Sequence, residues 1–133
     1  MLAMILNDPA GWGGDGSLAF QPTADDAWDL RLVLASPELT DRLCYPMRTG
    51  GKYSCRNRET VALNLARWES GTEEYSANLD IYRQYLVNHE VGHFLGHGHR
   101  RCPGPGELAP VMMQQTKGLE VCLLNGWPIS DEM

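Results

Sequence analysis

The chain has no apolar run of transmembrane length, no internal repeat, no low-complexity tract and no C-x-x-C pair. A bilayer-spanning helix needs about 20 largely apolar residues, so no segment is expected to cross a membrane. Without repetition, solenoid and propeller architectures are excluded. Without a C-x-x-C pair, a cysteine zinc site or a thioredoxin-like redox centre is disfavoured. Basic clusters are equally scarce. Arg56 with Arg58 and Arg100 with Arg101 come nearest, and both pairs are expected on the solvated surface. The net charge of −6 is dispersed over Asp25, Asp26, Asp29, Glu69, Glu73, Glu74, Asp80, Asp131 and Glu132, which leaves no footprint for nucleic acid. A cleft lined by those acids would favour basic peptides by electrostatic steering. Four glycines between Gly11 and Gly16 surround Trp12 and Asp15, but they lack the strand-to-helix context of a nucleotide fingerprint and are expected to form a turn or loop.

What remains is a chain of 133 residues, 43% hydrophobic and 21% charged, enough for one core and too short for two ordinary domains. A single domain over residues 1–133 is expected.

Histidine is scarce too, and its placement carries the chemistry. All four histidines fall between His89 and His99, in the run H-E-V-G-H-F-L-G-H-G-H. On a helix, residues four apart share a face and are separated by about 6 Å of rise, so His89 and His93 can chelate one ion. Glu90 follows a ligand directly. It projects off the metal axis yet stays close enough to deprotonate a zinc-bound water, which makes it the natural general base. Gly96 can take a positive φ, end the helix and turn the chain back toward the ion, bringing His99 in as third ligand. Three protein ligands leave the fourth tetrahedral position for water, the signature of a catalytic rather than a structural zinc. His97, four residues after His93, would be a rival third ligand if the helix ran on through Gly96. The glycine favours His99, leaving His97 behind the ligands, facing substrate, or in solvent.

These residues resemble the extended motif of the metzincin clan of zinc peptidases, matched at His89, Glu90, His93, Gly96 and His99. The clan also has a methionine turn beneath the metal, and the segment from Pro110 to Gln114 looks like it, with Met112 preferred over Met113. Two gap-filling core methionines are the alternative. More closely, Tyr82 to Gly118 is similar to a family of uncharacterised secreted bacterial zincin-like proteins, and Leu43-Cys44 and Gly50 to Asn57 fit it as well. The resemblance implies a secreted metallopeptidase that uses Zn2+. There are departures: no tyrosine follows the methionine turn, and no long helix has room to form before Pro128.

Four cysteines, an even number, favour disulfides. Of three connectivities, Cys44 with Cys55 would close a glycine-rich hairpin, and Cys102 with Cys122 would tie the loop after the motif to the C-terminal segment. Four buried thiols in a cytosolic protein are the alternative. Disulfides imply a secreted or extracytoplasmic location. Met1 to Leu6 has no basic flank and is too short for a signal core, so the chain is expected to be the catalytic part of a longer precursor.

The pattern of elements places this site. Leu30, Leu32 and Leu34 alternate with Arg31, Val33 and Ala35 as in a half-buried strand, and Ser36-Pro37 reads as the cap and first residue of a helix running toward Leu43. Two further strands, Tyr53 to Arg56 and Thr60 to Ala66, are expected around an Asn57-Arg58 turn, with Val61, Leu63 and Leu65 on one face. By resemblance, Val61 to Leu65 directly precedes the metal helix and forms the substrate-binding edge; an ordinary internal strand is the equal alternative. Asn78 is the expected cap of a helix from Leu79 to about Leu95, with Leu79, Tyr82, Leu86, His89 and His93 along one stripe. Leu86 and Phe94 would form the apolar wall beside the ion.

The sequence is therefore read as a small α+β, zincin/metzincin-like domain with a mixed twisted sheet, a central metal-binding helix and a short irregular C-terminal subdomain. Its expected activity is zinc-dependent hydrolysis of peptide bonds in a peptide or protein substrate. A zinc amidase or deacylase acting on a cell-wall or small amide, and a catalytically silent zinc-binding module, are the rival readings. A purely structural zinc would require a fourth protein ligand, for which His97 is the only nearby histidine.

Overall fold

A computed structural model describes residues 1–133. The chain forms an α+β domain around one three-stranded mixed sheet. Its elements are α1 (Leu2–Leu6), β1 (Arg31–Ala35), α2 (Pro37–Cys44), β2 (Cys55–Asn57), β3 (Thr60–Asn64), α3 (Leu65–Ser70) and α4 (Leu79–Phe94), with short 3-10 turns at Glu73–Tyr75, Gln115–Lys117 and Ser130–Glu132. No helix is long and apolar enough to cross a membrane.

The strand order is β1-β3-β2, with β1 parallel and β2 antiparallel to β3. β3 is therefore the central strand, buried from Val61 to Asn64. Its alternation divides two faces. Val61 and Leu63 join the main core with Tyr82, Leu86 and Val87 of α4, while Ala62 packs with Cys44, Cys55 and Leu43 on the α2 side. Two expectations fall with this arrangement. The segment from Val61 to Leu65 is not a substrate-binding edge, because both sides of β3 are already hydrogen-bonded to other strands. Nor does it lead straight into the metal helix: Leu65 opens α3, whose first amides at Ala66 and Arg67 are capped by the Asn64 side chain, and a 3-10 turn follows. The free edge beside α4 is β2, joined to β3 by a two-residue turn at Arg58-Glu59 in which Arg58 takes a φ of 56°.

Elsewhere the local chemistry behaves as the residues dictate. The Ser36 hydroxyl accepts the Leu39 amide at 3.1 Å, and Pro37 opens α2. β1 starts one residue after Leu30 and is an outer strand, so Leu34 is exposed rather than half-buried. Asn78 makes no side-chain cap bond to α4. α4 is buried continuously from Tyr85 to Gly92, enclosed by α1, α3, β2, β3 and the C-terminal segment, so a one-sided stripe understates its burial. Both disulfides form in the expected connectivity, Cys44–Cys55 and Cys102–Cys122. The second fastens the otherwise irregular region after α4, which has only isolated bridges between Arg100 and Met113 and between Leu108 and Leu123.

Candidate metal centre

His89, Glu90 and His93 lie on the last turns of α4, and the chain then reverses. The reversal is a helix C-terminal motif with Gly96 at φ 100°: Gly96 N–H donates to His93 O at 3.0 Å, and His97 N–H donates to Gly92 O at 2.9 Å. A residue with a side chain rarely adopts that φ, so Gly96 sets the turn. Past it, Arg100 N–H donates to Met112 O at 3.0 Å, and His99 returns to the end of α4.

The three expected ligands meet. One ring nitrogen from each of His89, His93 and His99 lies within 4.8 Å of the others, and His93 Nε2 is 3.1 Å from His99 Nε2. Hydrogen bonds fix two of the tautomers. His89 Nδ1 is 2.8 Å from Val111 O, and His93 Nδ1 is 2.9 Å from His97 O. A carbonyl oxygen only accepts, so both Nδ1 atoms carry the proton and both Nε2 atoms present a lone pair. Nitrogen ligands about 2.0–2.1 Å from a tetrahedral zinc stand roughly 3.4 Å from one another, so this donor set fits a metal ion of that kind.

Burial favours the neutral form of the three imidazoles. Burial pulls His89 down to about 3, outweighing its bond to Val111, and His93 and His99 add to the effect. His93 is lowered by burial, and His99 by partial desolvation and by Lys117. Glu90, 6% exposed, is pushed up to about 8 by burial, against the pull of the Arg56 guanidinium. An apolar wall that raises the proton affinity of a carboxylate makes it a stronger base.

His97 does not join the ligands. Its ring stacks on Trp12 with centroids 4.3 Å apart, and its backbone carbonyl holds His93. Trp12 in turn donates from Nε1 to Asn88 O at 2.9 Å, so the expected loop of residues 11–16 packs a buried indole against α4. Met112 lies beneath the helix in the main core, against Gly92, whereas Met113 belongs to a separate cluster with Ala109 and Cys122.

The residues open onto a cleft of about 380 Å³ lined by Leu86, His89, Glu90, His93 and His99 of the motif region and by Tyr53 to Arg56 of the β2 edge. Phe94, expected in its wall, does not line it. The condition for an acidic cleft is not met. Glu90 is the one acidic residue in the lining, against Arg48, Arg56 and Lys117; the dispersed carboxylates lie elsewhere.

Sequence reading missed three supports. Arg56 is not solvated surface but half-buried, with Nη2 donating to His93 O at 3.2 Å. Glu132 is 4% exposed rather than a terminal surface charge. Its Oε1 accepts from Val111 N–H at 2.8 Å and Ile129 N–H at 3.0 Å, and its Oε2 accepts from Met112 N–H at 2.8 Å. The carboxylate thereby holds the peptide whose carbonyl orients His89. Gln115, fully buried, bonds Pro110 O and Asn125 O at 3.0 Å each and the Tyr75 hydroxyl, tying the methionine segment to the tyrosines below the site. None of the three had a short-range sequence signal, because each partner is supplied by the fold.

A family model described as "Protein of unknown function (DUF3152)" matches residues 1–127. No curated protein and no solved structure matches the chain.

Proposed function

We propose that this chain, which belongs to that family of proteins of unknown function, is a zincin-like metallopeptidase domain holding Zn2+ on His89, His93 and His99. The observation that carries the reading is three imidazole nitrogens within 4.8 Å of one another, in a cleft that the buried Glu90 also lines. Three neutral imidazoles suit zinc, and three protein ligands leave one coordination position for water or substrate. When bound, zinc supplies a Lewis acid that polarises a carbonyl and brings the pKa of a coordinated water near 7.

The chain's own residues do the rest. The carbonyls of Val111 and His97 keep the His89 and His93 lone pairs turned to the site. Glu90 takes a proton from the attacking water and delivers it to the leaving amine, the role suited to a carboxylate whose proton affinity is raised by burial. Leu86 and Tyr85 form the apolar side of the cleft and limit the water that reaches it. The free edge of β2 stands where an extended peptide could add as a strand. Two disulfides persist in an oxidising compartment, and this supports an extracytoplasmic location for the working domain.

The test is zinc content by mass spectrometry together with digestion of casein, set against digestion of peptidoglycan. Wild type is expected to bind zinc and cleave casein. Glu90→Gln is expected to keep the metal and lose about 10²- to 10⁴-fold in turnover. His89→Ala is expected to lose both. Cleavage of peptidoglycan alone would move the activity to another amide, and full activity in Glu90→Gln would remove the carboxylate from the reaction.

A further inference from the structure

We infer that the cleft selects peptides carrying a carboxylate next to the reacting bond, an inference that rests on the peptidase reading for its site but not for its test. The whole chain carries a net charge of −6, yet the cleft lining reverses that sign. Arg48, Arg56 and Lys117 line it against the single acid Glu90. None of the three cations forms a contact ion pair, since the one in the chain joins Arg101 to Glu120 on the surface; Glu90 is the single acid near Arg56.

The cations come from different segments of the chain. Arg56, on β2, reaches the carbonyl of His93 with Nη2, and its Nε is buried without a hydrogen-bond partner. The guanidinium lines the cleft, where its charge attracts a carboxylate. Lys117, in the segment after the methionines, sits with Nζ 5.3 Å from the Tyr53 ring centroid. Arg48 lies in the segment between α2 and β2, at the rim. A chain crossing the histidines along β2 thus passes positive charges that line the same cleft. A carboxylate there gains attraction, whereas an ammonium is repelled. The carboxylate has two possible sources, an Asp or Glu side chain within the peptide or its free C-terminus.

The experiment is a fluorescence-anisotropy titration of Glu90→Gln protein, with and without added zinc, against four labelled hexapeptides. One carries Asp residues and an amidated end, one is neutral with a free C-terminal carboxylate, one is neutral and amidated, and one carries Lys residues and an amidated end. At least one carboxylate peptide is expected to bind about tenfold more tightly than the neutral amidated one, and the Lys peptide more weakly still. The preference is expected to shrink between about 50 and about 500 mM salt and to vanish in Lys117→Glu with Arg48→Glu, both at exposed positions. Preference for the Asp peptide assigns the subsite to side chains, and preference for the free terminus assigns it to chain ends. Equal binding of all four peptides, binding of none, or a preference that survives charge reversal overturns the inference. Should wild type cleave peptides without regard to charge, this inference alone fails. Should it cleave none while the binding preference persists, the peptidase reading fails and the carboxylate subsite stands.

Discussion

Glu132 is the residue on which the site's rigidity turns. A buried carboxylate is tolerated only when its lone pairs are satisfied, and this one accepts three backbone N–H bonds. Two of them fix Val111 and Met112, and Val111 O fixes His89, so a charge near the C-terminus is coupled to a candidate ligand on α4 through one peptide unit. Glu132→Gln keeps the shape but turns one acceptor into a donor facing a donor. It is expected to lose about 1–3 kcal/mol of stability in urea denaturation. Its zinc affinity should also weaken about 10- to 100-fold in chelator competition. Unchanged affinity in a variant that is still folded would show that the clamp is structural only. This residue also marks the limit of sequence reading. His89, Glu90, His93, Gly96 and His99 were legible because a helix and a glycine convert their spacing into convergence. Glu132 and Arg56 were not, since a charged side chain far from its partner in sequence looks like solvated surface until the fold buries it.

Among the elements, α4 was legible in extent but not in how fully it is enclosed, and the sheet was legible only in part. The alternation of Thr60 to Asn64 gave a strand, but alternation cannot tell a central strand from an edge. It is central because β1 reaches it in parallel by way of α2, and a parallel partner some 29 positions away leaves no local trace. Asn64 ends it by capping α3, a competing local hydrogen bond that the apolar periodicity through Leu65 concealed. α4 owes its close seating to Gly92. A Cβ there would stand 2.4 Å from Met112 Sδ and 2.9 Å from Trp12 Cζ2. Gly92→Ala gains helix propensity of about 0.8–1.0 kcal/mol. It also forces the methionine and the indole apart at a cost of about 1–3 kcal/mol, so a net loss of thermal stability is expected. The same shift should weaken zinc binding, since Gly92 lies between the turns that carry His89 and His93. A variant more stable than wild type would mean that the floor beneath the site is soft.

At the scale of the whole molecule, the domain sets a sheet and one buried helix against a C-terminal region with almost no regular structure. That region is held by the Cys102–Cys122 disulfide, by Gln115 and by Glu132 rather than by a sheet or helix of its own. Its irregularity was expected, as were both disulfides from the even cysteine count. The sign of the cleft was not legible, because composition gives total charge and only the fold decides where it collects. The central claim is that three imidazoles hold a metal and leave a coordination position to the substrate. X-ray absorption at the zinc edge, on protein loaded with about one equivalent of zinc, tests it most directly. A first shell of three imidazole nitrogens and one oxygen ligand at about 2.0–2.1 Å is the expected result. A shell of four imidazoles, with His97 drawn off Trp12, or no stoichiometric zinc at all, would contradict it.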